Sequence, residues 1–173
     1  MKKLVAIILT LMLCVGVAFA DETSVEINWA DLEEEGAETI ALGDFVAFDE
    51  IALKMWVPSV FEAVELSDDD KAQGYIGYYL AADGSAITAM YFNAGVSTLE
   101  EYKGLVTQSG ATDMEDVIVN GIPAIDYTIT ESDTVCLCIA DDAGNIFAVS
   151  GAPVSDEGMS ALLIFVMASV QAA

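Results

Sequence analysis

The sequence contains no histidine and no arginine, so lysine is its only basic residue. Without histidine, a Ser-His-Asp or Cys-His catalytic arrangement and a histidine-ligated zinc site are both excluded. Without arginine, no guanidinium group can bind a phosphate or a carboxylate through two parallel hydrogen bonds. No other catalytic signature is found, and the sequence therefore favours a protein that is not an enzyme.

Positive charge is scarce: five lysines oppose 29 acidic residues, and the formal net charge is −24. Nucleic acids and anionic lipid surfaces attract cations, so a surface of this composition would repel both. High net charge alone can indicate disorder, but 55% of the residues are hydrophobic, which is enough for a folded core. We therefore expect a globular domain with an acidic surface, whose partner is a protein or a small neutral or cationic ligand.

Residues 1–20 have the organisation of a cleavable signal peptide. Lys2 and Lys3 precede an apolar run over residues 4–17, and the segment ends in Ala18-Phe19-Ala20, which offers small residues to signal peptidase. An uncleaved N-terminal anchor is the alternative. We predict cleavage after residue 20 and export to the periplasm or the extracellular medium, with no stable membrane insertion of the remaining chain.

The rest of the chain predicts one α+β domain. Residues 21–43 form an acidic N-terminal segment, predicted to be helical around residues 31–35, and residues 44–173 form the globular domain. Thr98 begins a capped amphipathic helix, and the apolar stretch over residues 161–170 is too short to span a bilayer and predicts a buried helix.

Turn signals separate the predicted strands. Asp83-Gly84, Asn120-Gly121 and residues 141–145 each lie between two strand-like runs, as expected for β-hairpins. Consecutive hairpins with helices between them predict a single-domain, mainly antiparallel sheet flanked by helices.

Several motifs, in order, resemble the PsbP-like family of small exported α/β/α domains. They are Trp56-Val57-Pro58 followed by Phe61, the helix over residues 97–103, the hairpin over residues 119–124, Gly144-Asn145-Ile146-Phe147, and a terminal helix that ends at residues 168–170. The resemblance implies a central antiparallel sheet between helices and a binding or accessory role. It carries over no site residue, because no site motif is shared.

The aromatic residues of the strands are the first functional lead. By the alternation of side chains along a β-strand, Tyr75 and Tyr79 share one face of their strand and Tyr78 lies on the other. Exposed tyrosines on a sheet can stack on sugars or peptides, so Trp56, Tyr75 and Tyr79 are the candidate ligand-binding residues. Packing in the core is the alternative, and it is the usual use of aromatic residues in strands.

Clustered carboxylates are the second lead, because calcium is bound by six to eight converging oxygen atoms. A divalent-cation-binding protein is thus the alternative function, although none of the clusters has the ligand spacing of an EF-hand, and neither a metal site nor a cofactor is predicted. The candidate ligands are Asp68, Asp69, Asp70, Asp141 and Asp142.

Two cysteines lie outside the predicted signal peptide, at positions 136 and 138 of one strand. Residues i and i+2 of a strand point to the same face but seldom meet the geometry of a disulfide. We expect Cys136 and Cys138 to be buried free thiols, with a disulfide or a redox role as the alternative.

Overall fold

The structure, a computed structural model, describes residues 24–173, and the predicted signal peptide lies outside the described residues. Within this range the chain forms an α+β domain, as the sequence predicts. The strands are β1 (Val25–Ile27), β2 (Gly43–Phe48), β3 (Leu53–Pro58), β4 (Phe61–Ala63), β5 (Tyr75–Ala81), β6 (Ala86–Asn93), β7 (Thr112–Val119), β8 (Ile122–Ile129), β9 (Thr134–Ala140), β10 (Asn145–Ala152) and β11 (Gln171–Ala172). The helices are α1 (Trp29–Ile40), α2 (Asp68–Ala72), α3 (Leu99–Gln108), α4 (Glu157–Ala168) and a 3-10 turn at Thr130–Ser132.

Eight of these strands form the main sheet, in the order β1-β7-β8-β9-β10-β6-β5-β4. The three predicted hairpins are β5–β6, β7–β8 and β9–β10, and each pairs antiparallel. Strand β1 lies at one edge and pairs parallel to β7, while β4 lies at the other edge. The prediction of a mainly antiparallel sheet is confirmed.

The second sheet has three strands, in the order β11-β3-β2. It packs with α1 and α4 on one face of the main sheet, where the larger core cluster includes Trp56, Phe147 and Leu163. Helix α3 covers part of the opposite face, where a smaller cluster includes Tyr102 and Ile125. Helices thus flank the main sheet on both faces. The small sheet belongs to the layer that contains α1 and α4, and the sequence did not predict it.

Helix α1 confirms the predicted acidic helix and extends it at both ends. Trp29, its first residue, is 5% exposed, and its ring packs against Trp56 at a centroid distance of 6.3 Å. Strand β1, which precedes the helix, pairs with β7. The described part of the acidic N-terminal segment, residues 24–43, is therefore part of the sandwich and contributes to its core.

Helix α4 corresponds to the predicted buried helix. The side chain of Asp156 accepts a hydrogen bond from the amide of Met159 at 2.8 Å and so caps the first turn. Six of its residues are buried, because the helix lies between the main sheet and β3. No helix within residues 24–173 is long and apolar enough to cross a membrane.

Candidate functional site

A β-bulge in β5 changes which tyrosines share a face. The register between β5 and β6 shifts between Tyr75 and Gly77, so Tyr75 pairs with Met90 and Tyr78 pairs with Thr88. Directly paired residues of an antiparallel sheet point to the same side, and Met90 and Thr88 are two positions apart on β6. Tyr75 and Tyr78 therefore lie on one face, and the prediction that Tyr75 shares a face with Tyr79 is wrong.

The face that carries these two tyrosines lies beside α3 and is open to solvent. Ser150 pairs with Thr88 across β6 and β10, and their hydroxyl groups are joined by a hydrogen bond of 2.5 Å. The six sheet residues of this surface carry no charge, and charged residues lie at its border, where Glu62 pairs with Leu80 and Lys71 lines a cavity with Tyr78. We call this surface the tyrosine face; it consists of Tyr75, Tyr78, Leu80, Thr88, Met90 and Ser150.

The other two candidate ligand-binding residues lie in the core. Trp56 is 1% exposed, its indole N–H donates to the carbonyl of Ile40 at 3.1 Å, and its ring packs against Phe165. Tyr79 is 7% exposed, and burial raises the pKa of its hydroxyl. A ligand could stack on neither ring without opening the core, so Tyr75 is the one of the three that solvent reaches.

A groove of about 410 Å³ lies between β4, the β5–β6 turn and the first turn of α4. Its apolar side chains come from Val60, Phe61, Met159 and Leu162, and Val60 is 61% exposed. The strand in segment 60–66 is too short for a periodic pattern to be recognised in the sequence. For this reason the groove could not be predicted. We call it the β4 groove.

Two exposed carboxylates belong to the β4 groove, Asp83 and Asp156. Oδ1 of Asp83 accepts a hydrogen bond from the amide of Ser85 at 2.9 Å, and this contact holds the pKa of the carboxyl below its usual value. Oδ1 of Asp156 accepts the capping bond from Met159. Each carboxylate is thus held in one orientation beside an apolar surface.

The outer edge of β4 carries backbone groups that face away from β5. The amide of Val64 donates to the carbonyl of Tyr78 at 2.8 Å, and Glu62 pairs with Leu80. Hydrogen-bonded and non-hydrogen-bonded pairs alternate along an antiparallel ladder. Glu62 and Val64 belong to the hydrogen-bonded pairs, so the backbone groups of Phe61 and Ala63 point to the outer edge. In the described part of the chain, β4 has no strand on this side.

The candidate calcium ligands have local structural roles. Asp70 accepts hydrogen bonds from the amide and the hydroxyl of Ser67, which caps α2, and these contacts hold the pKa of the Asp70 carboxyl below its usual value. Asp68 and Asp69 lie in the first turn of the same short helix, where negative charge is favourable. No group of three potential ligands that could hold a metal ion lies within residues 24–173.

Asp141 organises the β9–β10 turn that the sequence predicts. It accepts hydrogen bonds from the hydroxyl of Tyr91 at 2.5 Å and from the side-chain amide of Asn145 at 2.9 Å. These two contacts lower the pKa of its carboxyl to about 2. Asp142 is exposed in the same turn. The structure brings Asp141 and Asp142 to the end of β9, whereas Asp68, Asp69 and Asp70 lie in α2.

Cys136 and Cys138 are buried free thiols on β9, as predicted, and both point to the smaller core cluster under α3. Burial raises the pKa of Cys136 to about 11 and that of Cys138 to about 12. The Tyr127 hydroxyl lies 3.6 Å from the sulfur of Cys138. A thiol that is neutral and inaccessible is a poor nucleophile, so these residues act as small core side chains.

The fold is similar to that of a solved structure at low sequence identity. Cyanobacterial PsbP (CyanoP) from Synechocystis sp. PCC 6803 matches with a TM-score of 0.52 at 10% identity, over 80% of this chain and 96% of that chain. The Ran-binding protein Mog1p of Saccharomyces cerevisiae matches with a TM-score of 0.43 at 14% identity, over 75% and 95% of the two chains. No family model matches the chain, and no curated protein does. The expected PsbP-like fold is confirmed.

Proposed function

We propose that this protein is an exported, non-enzymatic recognition domain that binds a protein partner through the tyrosine face. The observation that carries the proposal is an uncharged, partly exposed surface with two tyrosines and Leu80, on a chain with 29 acidic residues. Charged residues are depleted at the centres of protein interfaces, whereas tyrosine and methionine are enriched there. Export is supported by the signal-peptide organisation of residues 1–20.

The side chains of the face suit recognition rather than catalysis. Tyr75 and Tyr78 offer apolar ring surface together with a hydroxyl group, and a tyrosine loses little conformational entropy when it is fixed at an interface. Leu80 is 38% exposed and supplies aliphatic contact area. Glu62 pairs with Leu80 and places a negative charge at the border of the face, and Lys71, which lines a cavity with Tyr78, places a positive charge there.

A photoreactive phenylalanine at position 78 tests the proposal. The protein is exposed, after export, to the other exported proteins of its source and irradiated, and the products are separated by mass. We expect one discrete cross-linked product, and we expect competition by unlabelled wild-type protein to abolish it. The same photoreactive residue at Leu105, which is 42% exposed on α3, is the matched control and should give no such product.

Two results would overturn the proposal. The first is an equal yield of cross-linked products from positions 78 and 105, which would show that the tyrosine face has no preference for a partner. The second is turnover of a glycosidic, ester or peptide substrate that one carboxylate substitution abolishes.

A further inference from the structure

We infer that the outer edge of β4, together with the β4 groove, is a docking site for an extended segment of the partner in which an apolar residue is flanked by lysine or arginine. The inference rests on the proposed function, because it names the kind of partner segment that such a recognition domain accepts. The site lies on the opposite side of β4 from the tyrosine face, and the two surfaces meet at Glu62 and Leu80.

The backbone of β4 supplies the first element of recognition. Its outer edge presents the amide and carbonyl groups of Phe61 and Ala63, which β5 does not use. An extended peptide can add to such an edge as a further strand, and main-chain hydrogen bonds then fix its register. Ala63 is exposed and has a small side chain, so a peptide backbone can approach it closely.

The β4 groove supplies the second element. The side chain of Phe61 points to the core side of the sheet, as does that of its partner Ala81, and the groove continues over Met159 and Leu162. A strand paired to β4 would place every second side chain on this side. Leu42 is also exposed (65%), and its carbonyl accepts a hydrogen bond from the amide of Ser59, next to the groove residue Val60.

Charge decides which partner fits. Asp83 and Asp156 belong to the groove, and Glu62 is exposed on the other side of the edge. Within residues 24–173 the cations are Lys54, Lys71 and Lys103; none of them lines the groove, and Lys71 lies at the other end of β4, where it lines a smaller cavity with Ala63 and Val64. Two carboxylates held beside an apolar surface favour an ammonium or guanidinium group that follows an apolar residue. A second copy of this acidic chain would meet like charge at the same edge, which disfavours self-association there.

The test uses an acetylated, amidated heptapeptide that alternates lysine and valine, titrated into the isotopically labelled protein after its export and followed by NMR. We expect saturable binding, with the largest shifts at the amides of Phe61 and Ala63. A peptide with glutamate in place of lysine should not bind. A peptide N-methylated at alternate residues keeps its charge but cannot pair as a strand, so it should bind at least tenfold more weakly.

Protein variants separate the edge from the overall charge. Ala63→Pro removes an outward amide at an edge position that tolerates proline, and it should weaken binding at least tenfold. Asp83→Asn combined with Asp156→Asn should weaken it three- to tenfold, since asparagine still caps α4. Asp142→Asn, in the β9–β10 turn, removes one equally exposed charge and should leave the affinity within twofold.

Equal binding of the N-methylated peptide, or unchanged affinity in Ala63→Pro, would overturn the edge proposal. Because the N-methylated peptide is titrated into the wild-type protein, it tests strand pairing even if a variant fails to fold. If the cross-link at position 78 persists while the heptapeptide does not bind at β4, the edge proposal fails and the recognition role stands. If the heptapeptide binds at β4 but position 78 gives no specific product, the proposed tyrosine-face interface fails instead.

Discussion

The side-chain oxygen of Asn120 accepts a hydrogen bond of 2.6 Å from the backbone amide of Trp29, 91 residues away in the sequence. The side-chain amide of Asn120 donates to the carbonyls of Ala168 and Val170, both at 2.8 Å. One residue of the β7–β8 turn thus satisfies the first turn of α1 and the end of α4. This contact explains how the N-terminal segment is fixed to the domain.

Asn120→Ala should lower the free energy of unfolding by about 2–4 kcal/mol, because three hydrogen bonds are lost. Alanine also tolerates the left-handed backbone at this position (φ +51°) less well than asparagine does. Urea unfolding measures the effect. Asn120→Gly removes the backbone strain but also lacks the three hydrogen bonds, so its free energy of unfolding should be lowered nearly as much. A change below about 0.5 kcal/mol in both variants would contradict this assignment.

Asp126 lies on β8, and its buried Oδ1 has no hydrogen-bond partner among residues 24–173. Burial, and next the neighbouring carboxylate of Glu115, raise its pKa to about 6, from 3.8. The folded state therefore keeps a proton that the unfolded chain releases, and this contribution to stability falls as the pH rises from about 4 to about 6. The full shift corresponds to about 3 kcal/mol, which partial solvent access reduces to about 1–2 kcal/mol.

Asp126→Asn should accordingly be more stable than the wild type at pH 7 by about 1–2 kcal/mol, and the difference should vanish below about pH 4. Urea unfolding of both proteins at several pH values measures this difference. The other carboxylates titrate in both proteins, so their contributions cancel in the difference. Glu115→Gln is the control and should show a smaller effect of the same sign. A difference that does not depend on pH would show that Asp126 is not the titrating group.

Gly151 allows α4 to approach the main sheet. A Cβ atom at this position would overlap with Cδ2 of Leu163, which is 1% exposed and has little room to move. Gly151→Ala should cost about 1–3 kcal/mol of stability, and Leu163→Ala in the same chain should recover part of the Gly151→Ala cost in a double-mutant cycle. Gly104→Ala on α3 is the matched control, because a Cβ atom added there would meet no other described part of the chain within 4 Å, and it should stabilise the protein by about 0.5–1 kcal/mol.

The thiols of Cys136 and Cys138 should not react with a thiol reagent at pH 8 in the native protein, because burial raises both pKa values. In urea both should react at once, since they lie on the same strand under α3. Spectrophotometric thiol titration with and without denaturant checks this. Rapid labelling of one cysteine in the native state would instead indicate local opening of α3.

Local signals account for the part of the fold that the sequence predicts. Asp83-Gly84, Asn120-Gly121 and residues 141–145 fix three hairpins because turn chemistry depends on a few adjacent residues. The bulge at Gly77 has no such signal, since glycine in a strand is compatible with a bulge, a bend or a close contact. A one-residue shift exchanges the two faces of the strand, and for this reason the tyrosine face was only partly predicted.

The β4 groove and the β1 edge could not be predicted for a different reason. β4 and β1 each have three residues, which is too short for a period to be recognised. Their places in the sheet depend on pairing with β5 and β7, and β7 lies about 90 residues from β1. Contacts of this range follow from how the whole core closes, and no segment of the sequence contains them.

The pairing of β6 with β10 also has a kinetic consequence. It joins the β5–β6 hairpin to the β7–β10 meander through residues that are 52 positions apart where Asn93 meets Asn145. Local hairpins close in microseconds, whereas pairing across a long loop is slow, so this junction is expected to form late during refolding. Until it forms, Ile87 and Phe147 remain in contact with water, and mutual repulsion between the acidic chains protects them from aggregating at that stage.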